Sequence, residues 1–317
     1  MTVIGRNRWT AARLLAMFVV VGGAAWTGRY ATGGALAPDQ GGATTVPMPN
    51  RADSLKFAVL GDFGTGKAPQ YRLAEQMARA HREFKFGLTL LVGDNLYGSE
   101  RPQDFQRKFE TPYKPLLDAG VVFRASLGNH DSREQRSYKP FNMNGELYYS
   151  FKAPAESVRF FALESTYPEP KQILWLEKEL KASGEDWKIV FFHHPLYSSA
   201  GRHGSDTQLR EKLEPLFVAY NVSVVFTGHD HVYERVKPQK GIPYFVTGSG
   251  GKLSPGDLDR RSDITARGFD TEETFLVVEI SKDEMTFNAI SRSGKIVDSG
   301  VIQRRQAPAK PPAPVPR

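Results

Sequence analysis

Five short motifs along this sequence concentrate side chains that can bind metal ions. Six of the seven histidines lie in or just after these motifs, the exception being His81. The motifs are Gly61-Asp62-Phe63-Gly64, Gly93-Asp94-Asn95-Leu96-Tyr97, Gly128-Asn129-His130-Asp131, His193-His194-Pro195 and Thr227-Gly228-His229-Asp230-His231. Their oxygen and nitrogen atoms suit first-row transition metals, and the glycines allow close approach of the backbone. The pattern predicts a two-metal site, in which cations about 3.5–4 Å apart activate a water and polarise a phosphoryl oxygen.

Each motif follows a segment that is predicted to be a β-strand. These strands are Lys56–Leu60, Leu88–Val92, Val121–Ala125, Ile189–Phe192 and Val222–Phe226. In open α/β sheets, sites lie beyond the carboxyl ends of the strands. We therefore expect the five motifs to meet at one edge of the domain.

The rest of the chain alternates helical and strand patterns. Helices are predicted at about Gln70–Phe84, Asp104–Leu117, Gln172–Lys181 and Gln208–Tyr220. Further strands are predicted at Phe160–Leu163, Tyr244–Val246, Phe275–Ile280, Met285–Ile290 and Lys295–Val301. The predicted fold class is α/β, a layered sandwich of two mixed β-sheets flanked by helices.

Residues 61–67 also read G-x-x-x-x-G-K, one residue short of a phosphate-binding P-loop. A P-loop requires Ser or Thr after its lysine, with a helix beginning there. This chain instead has Ala68 and Pro69, and the proline is expected to push Ala68 out of helical geometry. Asp62 would also place a carboxylate inside a cradle for phosphate. Asp62 is therefore interpreted as a metal ligand.

The five motifs, in this order, resemble the calcineurin-like metallophosphoesterases, and within them the purple acid phosphatases of the small tartrate-resistant type. The resemblance runs from about Leu55 to about Leu253. The family pattern is D-x-G, G-D-x-x-Y, G-N-H-D/E, V-x-x-H and G-H-x-H, and the fourth motif here is Val190-Phe191-Phe192-His193. Most of the wider family carries D-x-H at the first motif. Here Gly64 stands in place of that histidine, and Tyr97 is available instead.

The resemblance implies a dinuclear centre with ferric and divalent sites. The ferric site would take Asp62, Asp94, Tyr97 and His231, with Asp94 bridging. The divalent site would take Asp94, Asn129, His193 and His229 and hold iron, zinc or manganese. Because His194 directly follows His193, the identity of that one ligand stays open, although the V-x-x-H spacing favours His193.

The resemblance also implies hydrolysis of small phosphate monoesters by a metal-bound hydroxide, as in an acid phosphatase. His130 and His203 would act on the phosphate and the leaving group. From their nearness in sequence, Arg202 and Tyr197 either reach a phosphate or are surface or packing residues. A phosphodiesterase or nucleotidase on the same site is the alternative, decided by loops such as Gly98–Gln103 and Ser198–Asp206. A non-catalytic binding protein of the same fold is a further alternative.

The chain ends carry the basic charge. The net charge is +7, but four arginines precede residue 38 and four basic residues follow residue 303, leaving about −1 for residues 38–303. The sequence therefore shows no basic stripe that would predict nucleic-acid binding. With no cysteine in the chain, thiol catalysis and cysteine-based zinc sites are excluded.

The organisation of the chain is predicted from these composition changes. Residues 1–37 combine arginines with a short apolar run, which is typical of an export signal or an uncleaved membrane anchor. A linker at 38–54, a catalytic domain at 55–303 and a Pro-rich basic tail at 304–317 follow. We expect a periplasmic or secreted protein, anchored to the membrane if the signal stays uncleaved. No pattern predicts its oligomeric state.

Overall fold

Two β-sheets form the centre of the protein in this computed structural model, which describes residues 45–153, 156–184 and 186–305. The strands are β1 (Leu55–Leu60), β2 (Leu88–Val92), β3 (Val122–Ser126), β4 (Tyr149–Lys152), β5 (Val158–Ala162), β6 (Trp187–Phe191), β7 (Val224–Thr227), β8 (Tyr233–Gln239), β9 (Ile242–Thr247), β10 (Thr265–Phe269), β11 (Thr274–Ser281), β12 (Glu284–Ser291) and β13 (Ile296–Gln303). The helices are α1 (Ala68–Phe84), α2 (Pro102–Phe105), α3 (Lys114–Asp118), α4 (Pro170–Ala182) and α5 (Thr207–Ala219).

Both sheets mix parallel and antiparallel neighbours. The six-stranded sheet has the order β13-β12-β11-β1-β2-β3, with β1, β2 and β3 parallel. The seven-stranded sheet has the order β10-β8-β9-β7-β6-β5-β4, with β5, β6, β7 and β9 parallel. The carboxyl ends of the parallel strands in each sheet therefore lie along one edge, which is where the motifs begin.

Side chains of the central strands point alternately into a core between the two sheets and into a core between a sheet and its helices. Phe57 and Val59 of β1 pack between the sheets, where Phe57 meets Phe160 of β5 edge-on at 5.4 Å. Ala58 and Leu60 point the other way and pack under α1 and α3. Helices α4 and α5 cover the outer face of the second sheet in the same manner. The predicted sandwich of two mixed sheets flanked by helices is confirmed.

Several predicted boundaries were wrong, each for a local reason. The helix predicted at Asp104–Leu117 is interrupted, because a π-helical turn at Gln106–Glu110 separates α2 from α3. Helix α1 begins at Ala68, so the prediction that Pro69 would keep Ala68 out of helical geometry was wrong. Proline is well tolerated in the first turn of a helix. Strands β4, β8 and β10 were not predicted, because they lack a continuous apolar run.

The chain ends are described only in part. Residues 45–54 of the predicted linker are bound to the first sheet, where the backbone amides of Asn50 and Arg51 donate to the Glu279 carboxylate, each at 2.6 Å. The predicted signal at residues 1–37 and most of the predicted tail lie outside the described residues. Within the described ranges, no helix is long and apolar enough to cross a bilayer.

Candidate metal centre

Loops from both sheets meet at the carboxyl edge of the parallel strands. Within each sheet, backbone bonds join neighbouring loops, from Asp62 N to Gly93 O at 3.0 Å and from Gly228 N to His193 O at 2.9 Å. Two further bonds cross between the sheets. The backbone amide of His229 donates to Asp62 Oδ2 at 2.9 Å, and His193 Nδ1 lies 3.0 Å from the carbonyl oxygen of Val92.

The first group of side chains gathers around Asp62. The hydroxyl of Tyr97 lies 3.1 Å from Asp62 Oδ1 and 3.2 Å from His231 Nε2. His231 Nε2 is in turn 3.5 Å from Asp62 Oδ1. The structure thus places these three predicted ferric ligands with their donor atoms facing a common point.

The second group gathers around Asn129. Its side-chain oxygen lies 3.1 Å from His193 Nε2 and 3.0 Å from His229 Nδ1, and these two ring nitrogens are 3.2 Å apart. These residues are three of the four ligands predicted for the divalent site.

Asp94 lies between the two groups, as a bridging ligand must. Its Oδ1 atom is 3.4 Å from His193 Nε2, and its carboxylate has an oxygen within 4.8 Å of one in the Asp62 carboxylate. The backbone amide of His130 donates to the same Oδ1 at 3.0 Å. One buried carboxylate therefore lies close to members of both groups.

The hydrogen bonding of His193 shows that its second ring nitrogen is prepared for a cation. A carbonyl oxygen only accepts, so the contact with Val92 places the ring proton on Nδ1 and leaves the Nε2 lone pair free. That lone pair faces the Asp94 carboxylate and the Asn129 side-chain oxygen. Acceptors that face each other in a buried place are the arrangement that a metal ion completes.

The electrostatics of the site lead to the same conclusion. Asp62, Asp94 and His193 are 0%, 1% and 0% exposed, and their ligand atoms lie within 4.8 Å of one another. Burial and the nearby Asp94 carboxylate raise the pKa of Asp62 well above its ordinary value. A bound cation would offset the repulsion and desolvation of these two adjacent buried carboxylates. The residues present therefore fit a dinuclear metal centre.

The pKa values of the three candidate histidine ligands are lowered, which favours the neutral form that binds metals. Burial, followed by the neighbouring His194, lowers the pKa of His193. Burial and neighbouring histidines lower the pKa of His229 to about 2. Burial, followed by the charge of Lys252, lowers the pKa of His231 to about 4. Protons therefore compete weakly with metal ions for these nitrogens, even at acidic pH.

Three candidate ligands have strained backbones. Asp62, Asp94 and His229 have φ angles of 55°, 51° and 70°, in the left-handed region that side chains other than glycine rarely adopt. Such conformations cluster at functional sites, where the surrounding structure enforces them.

Gly64 explains how Tyr97 reaches the site. A Cβ atom at Gly64 would lie 1.8 Å from the backbone oxygen of Asn95, so this backbone excludes a side chain there. The backbone amide of Tyr97 donates to the Gly64 oxygen at 2.9 Å, which holds the two loops together. Gly64, which replaces the histidine of the first motif, thus allows the loop that carries Tyr97 to pack closely against the loop that carries Asp62.

The two predicted catalytic histidines lie at the exposed side of the centre. The ring of His130 is 4.9 Å from that of Tyr97, while the ring of His203 is 4.3 Å from that of His229. Each ring is thus next to a different group of ligands. Both residues are solvent-exposed, so their rings are accessible to a bound substrate.

The contacts of His194 bear on whether His193 or His194 is the metal ligand, which the sequence left open. His194 Nδ1 is 2.9 Å from the hydroxyl of Ser165, whereas His193 Nε2 faces Asp94 and Asn129. His194 nevertheless lies close, with its ring 4.3 Å from that of His229. The geometry favours His193 as the ligand.

Three other residues considered from the sequence have different surroundings. Tyr197 donates to Glu214 at 2.5 Å and packs against Tyr244, which is a structural role. Arg202 is exposed, and its charge contributes to the lowered pKa of His231. His81 lies on α1 and packs edge-on against Phe86, which follows that helix, so it is away from the metal centre.

The role of Asp131 was missed, although it belongs to one of the motifs. Its carboxylate accepts from the backbone amides of Gly128, Asn95 and Leu96 at 2.9–3.0 Å. It therefore ties the loop that carries Asn129 to the loop that carries Asp94. Its position in the motif was the available signal, but only the fold shows which amides it meets.

Comparison of this sequence with models of known protein families identifies the family to which it belongs. The model of the calcineurin-like phosphoesterases matches residues 55–233. This protein belongs to that family. The predicted family and the expected phosphoesterase class of enzyme are confirmed.

Similar proteins narrow the relationship within the family. Human tartrate-resistant acid phosphatase type 5 is 30% identical and aligns over 82% of this chain and 96% of its own length. Purple acid phosphatase 4 of Arabidopsis thaliana is 28% identical over 77% of this chain and 82% of its own. A solved purple acid phosphatase from yellow lupin seeds shares the fold, with a TM-score of 0.66 at 19% identity, over 81% of this chain and 55% of its own.

Proposed function

We propose that this protein is an acid phosphatase that hydrolyses phosphate monoesters at a centre of ferric iron and a divalent ion. The observation that carries the proposal is the convergence of Asp62, Asp94 and His193, buried and within 4.8 Å of one another. The similarity to tartrate-resistant and purple acid phosphatases supports it. The full set of predicted ligands argues against a binding protein without turnover.

The residues of the centre suit in-line displacement at phosphorus. When bound, the two ions would polarise the phosphoryl oxygens and lower the pKa of the attacking water, a ferric ion more strongly than a divalent one. Asp94, which lies close to both groups of ligands, would help to hold both ions. As the bond from water oxygen to phosphorus forms, the bond from phosphorus to the ester oxygen breaks, and the leaving oxygen needs a proton. We assign this proton to His130 or His203, whose exposed rings lie beside Tyr97 and His229.

Space for the alcohol part of a substrate lies beside His130. An open cavity of about 720 Å³ extends from His130 to Phe105 and Tyr138. The rings of Phe105 and Tyr138 lie 4.3 Å apart and offer an apolar surface. A phosphate at the metal centre would thus leave its organic group room in this cavity.

Export of the protein, suggested by residues 1–37, is part of the same proposal.

The proposal is tested with the purified full chain and two substrates, p-nitrophenyl phosphate and bis(p-nitrophenyl) phosphate, in acidic and alkaline buffers. We expect the monoester to be hydrolysed with the higher kcat/KM, best at acidic pH, because a ferric ion keeps the attacking water deprotonated there. Removal of metal should abolish turnover, and iron with zinc should restore it.

Other outcomes of this experiment would assign the site differently. A higher kcat/KM for the diester would indicate that the protein is a phosphodiesterase. Full metal occupancy without turnover of either ester would indicate a binding protein of the same fold.

A further inference from the structure

A different cavity lies at the end of the sandwich opposite the metal centre. Its lining includes the first residues of three parallel strands, Leu55 of β1, Leu88 of β2 and Val122 of β3, and the end of β4 at Phe151 and Lys152. Candidate metal ligands follow the other ends of β1 and β2. Because these strands have six and five residues, roughly 17–20 Å separate the two places. The cavity is therefore distinct from the candidate active site.

The size and the apolar part of this cavity suit a small molecule. Its volume is about 490 Å³. Sites for small ligands commonly measure about 300–1,000 Å³. Leu55, Leu88, Val122 and Phe151 form the apolar part, and Val122 is 41% exposed on the edge strand of its sheet. A ligand with an apolar body would remove this surface from water.

The charge of the cavity is of one sign. Of the twelve described residues that line it, none is acidic and four are basic, namely Lys56, Lys85, Arg124 and Lys152. Lys152 pairs with Asp186 at 3.3 Å. Among the residues that the structure describes, Lys56, Lys85 and Arg124 have no carboxylate partner within 4.0 Å. The cavity thus offers three positive charges that an anion would complement.

We propose that this cavity binds a free organic anion with an apolar chain, of the type of a medium-chain fatty acid. The anionic group would meet the charges of Lys56, Lys85 and Arg124, while the chain would cover Val122. Arg124 joins the two parts, since its guanidinium lies over the ring of Phe151, 4.7 Å from the ring centroid. Inorganic phosphate would leave the apolar surface in water, and a neutral hydrocarbon would leave the positive charges without a partner. This inference does not depend on the proposed phosphatase activity.

The test is isothermal titration calorimetry of the full chain with octanoate, beside octanol, which lacks the charge, and acetate, which lacks the chain. We expect octanoate to bind most tightly, and its affinity to fall as salt screens the basic side chains. Val122→Asp places a carboxylate beside those side chains and should weaken octanoate binding by at least about tenfold. Lys85→Gln removes one exposed positive charge and should weaken binding by about threefold.

Matched controls make the same changes on α4, on the outer face of the second sheet. Leu174→Asp replaces a residue that is 70% exposed, and Lys178→Gln removes an exposed charge. Both should keep the octanoate affinity of the unchanged protein. The thermal unfolding midpoint of each variant shows that it is folded, whatever its phosphatase activity.

The possible results support or overturn the inference. Tighter binding of octanoate than of either probe, weakened in Val122→Asp and Lys85→Gln but not in the controls, supports it. Absence of octanoate binding, equal affinities for octanoate and octanol, or an unchanged affinity in both cavity variants would overturn it. Sedimentation with phosphatidylglycerol vesicles without binding of free octanoate would also overturn it, and would assign this face to a membrane surface.

Discussion

Replacing Asp94 with asparagine is expected to lower kcat for phosphate-monoester hydrolysis by at least about 10³-fold, since metal assistance contributes several kcal/mol to such reactions. The amide removes a negative charge from a position that lies 3.4 Å from His193 Nε2 and within 4.8 Å of Asp62. Steady-state kinetics with p-nitrophenyl phosphate, measured beside the metal content, check the prediction.

A matched control is Asp118→Asn, which changes an exposed carboxylate that pairs with Lys114 on α3. It should keep the rate and the metal content of the unchanged protein. Two bound metals and an unchanged rate in Asp94→Asn would show that Asp94 does not bridge the centre.

Replacing His130 with glutamine is expected to reduce kcat/KM for an alkyl phosphate by about 10²–10³-fold, the usual contribution of a general acid. The loss should be much smaller with p-nitrophenyl phosphate, because p-nitrophenolate departs without being protonated. The ring of His130 lies beside Tyr97, exposed at the mouth of the cavity that we assign to the leaving group. Kinetics with both substrates measure the difference.

The same comparison with His203→Gln decides which histidine protonates the leaving oxygen, since His203 lies beside His229 instead. His81→Gln, on α1 and in contact with Phe86, is the control and should change neither rate. Equal losses on both substrates would mean that His130 binds the phosphate without donating a proton. Unchanged rates would exclude it from the reaction.

The sequence predicted the central strands and the polar motifs that follow them because both depend on local patterns, whereas the assignment of individual ligands came from the family resemblance. Phe57 and Val59 alternate with Ala58 and Leu60, which fixes the two faces of β1. A polar motif directly after each such strand then places its ligands at one edge of the sheets. These relations involve neighbours in sequence, so no tertiary contact was needed to predict them.

The features that were not predicted depend on distant contacts. Strands β8 and β10 are partly exposed segments; β8 forms because β9 offers it a partner, and β10 in turn pairs with β8. The place of Lys252 over Tyr97 joins residues far apart in the chain, and no spacing rule connects them. The strained backbone of Asp62 is likewise imposed by bonds from the loops of His229 and Gly93.

The most direct test of the dinuclear centre is the metal content and visible spectrum of the full chain, purified with iron and zinc supplied, beside those of Tyr97→Phe. We predict two metal ions per chain, at least one of them iron, and a broad visible band that disappears in Tyr97→Phe. The hydroxyl of Tyr97, 3.1 Å from Asp62 Oδ1, is the atom that the change removes. Two divalent ions without colour would move Tyr97 out of the metal shell, and a protein that retains no metal would contradict the centre itself.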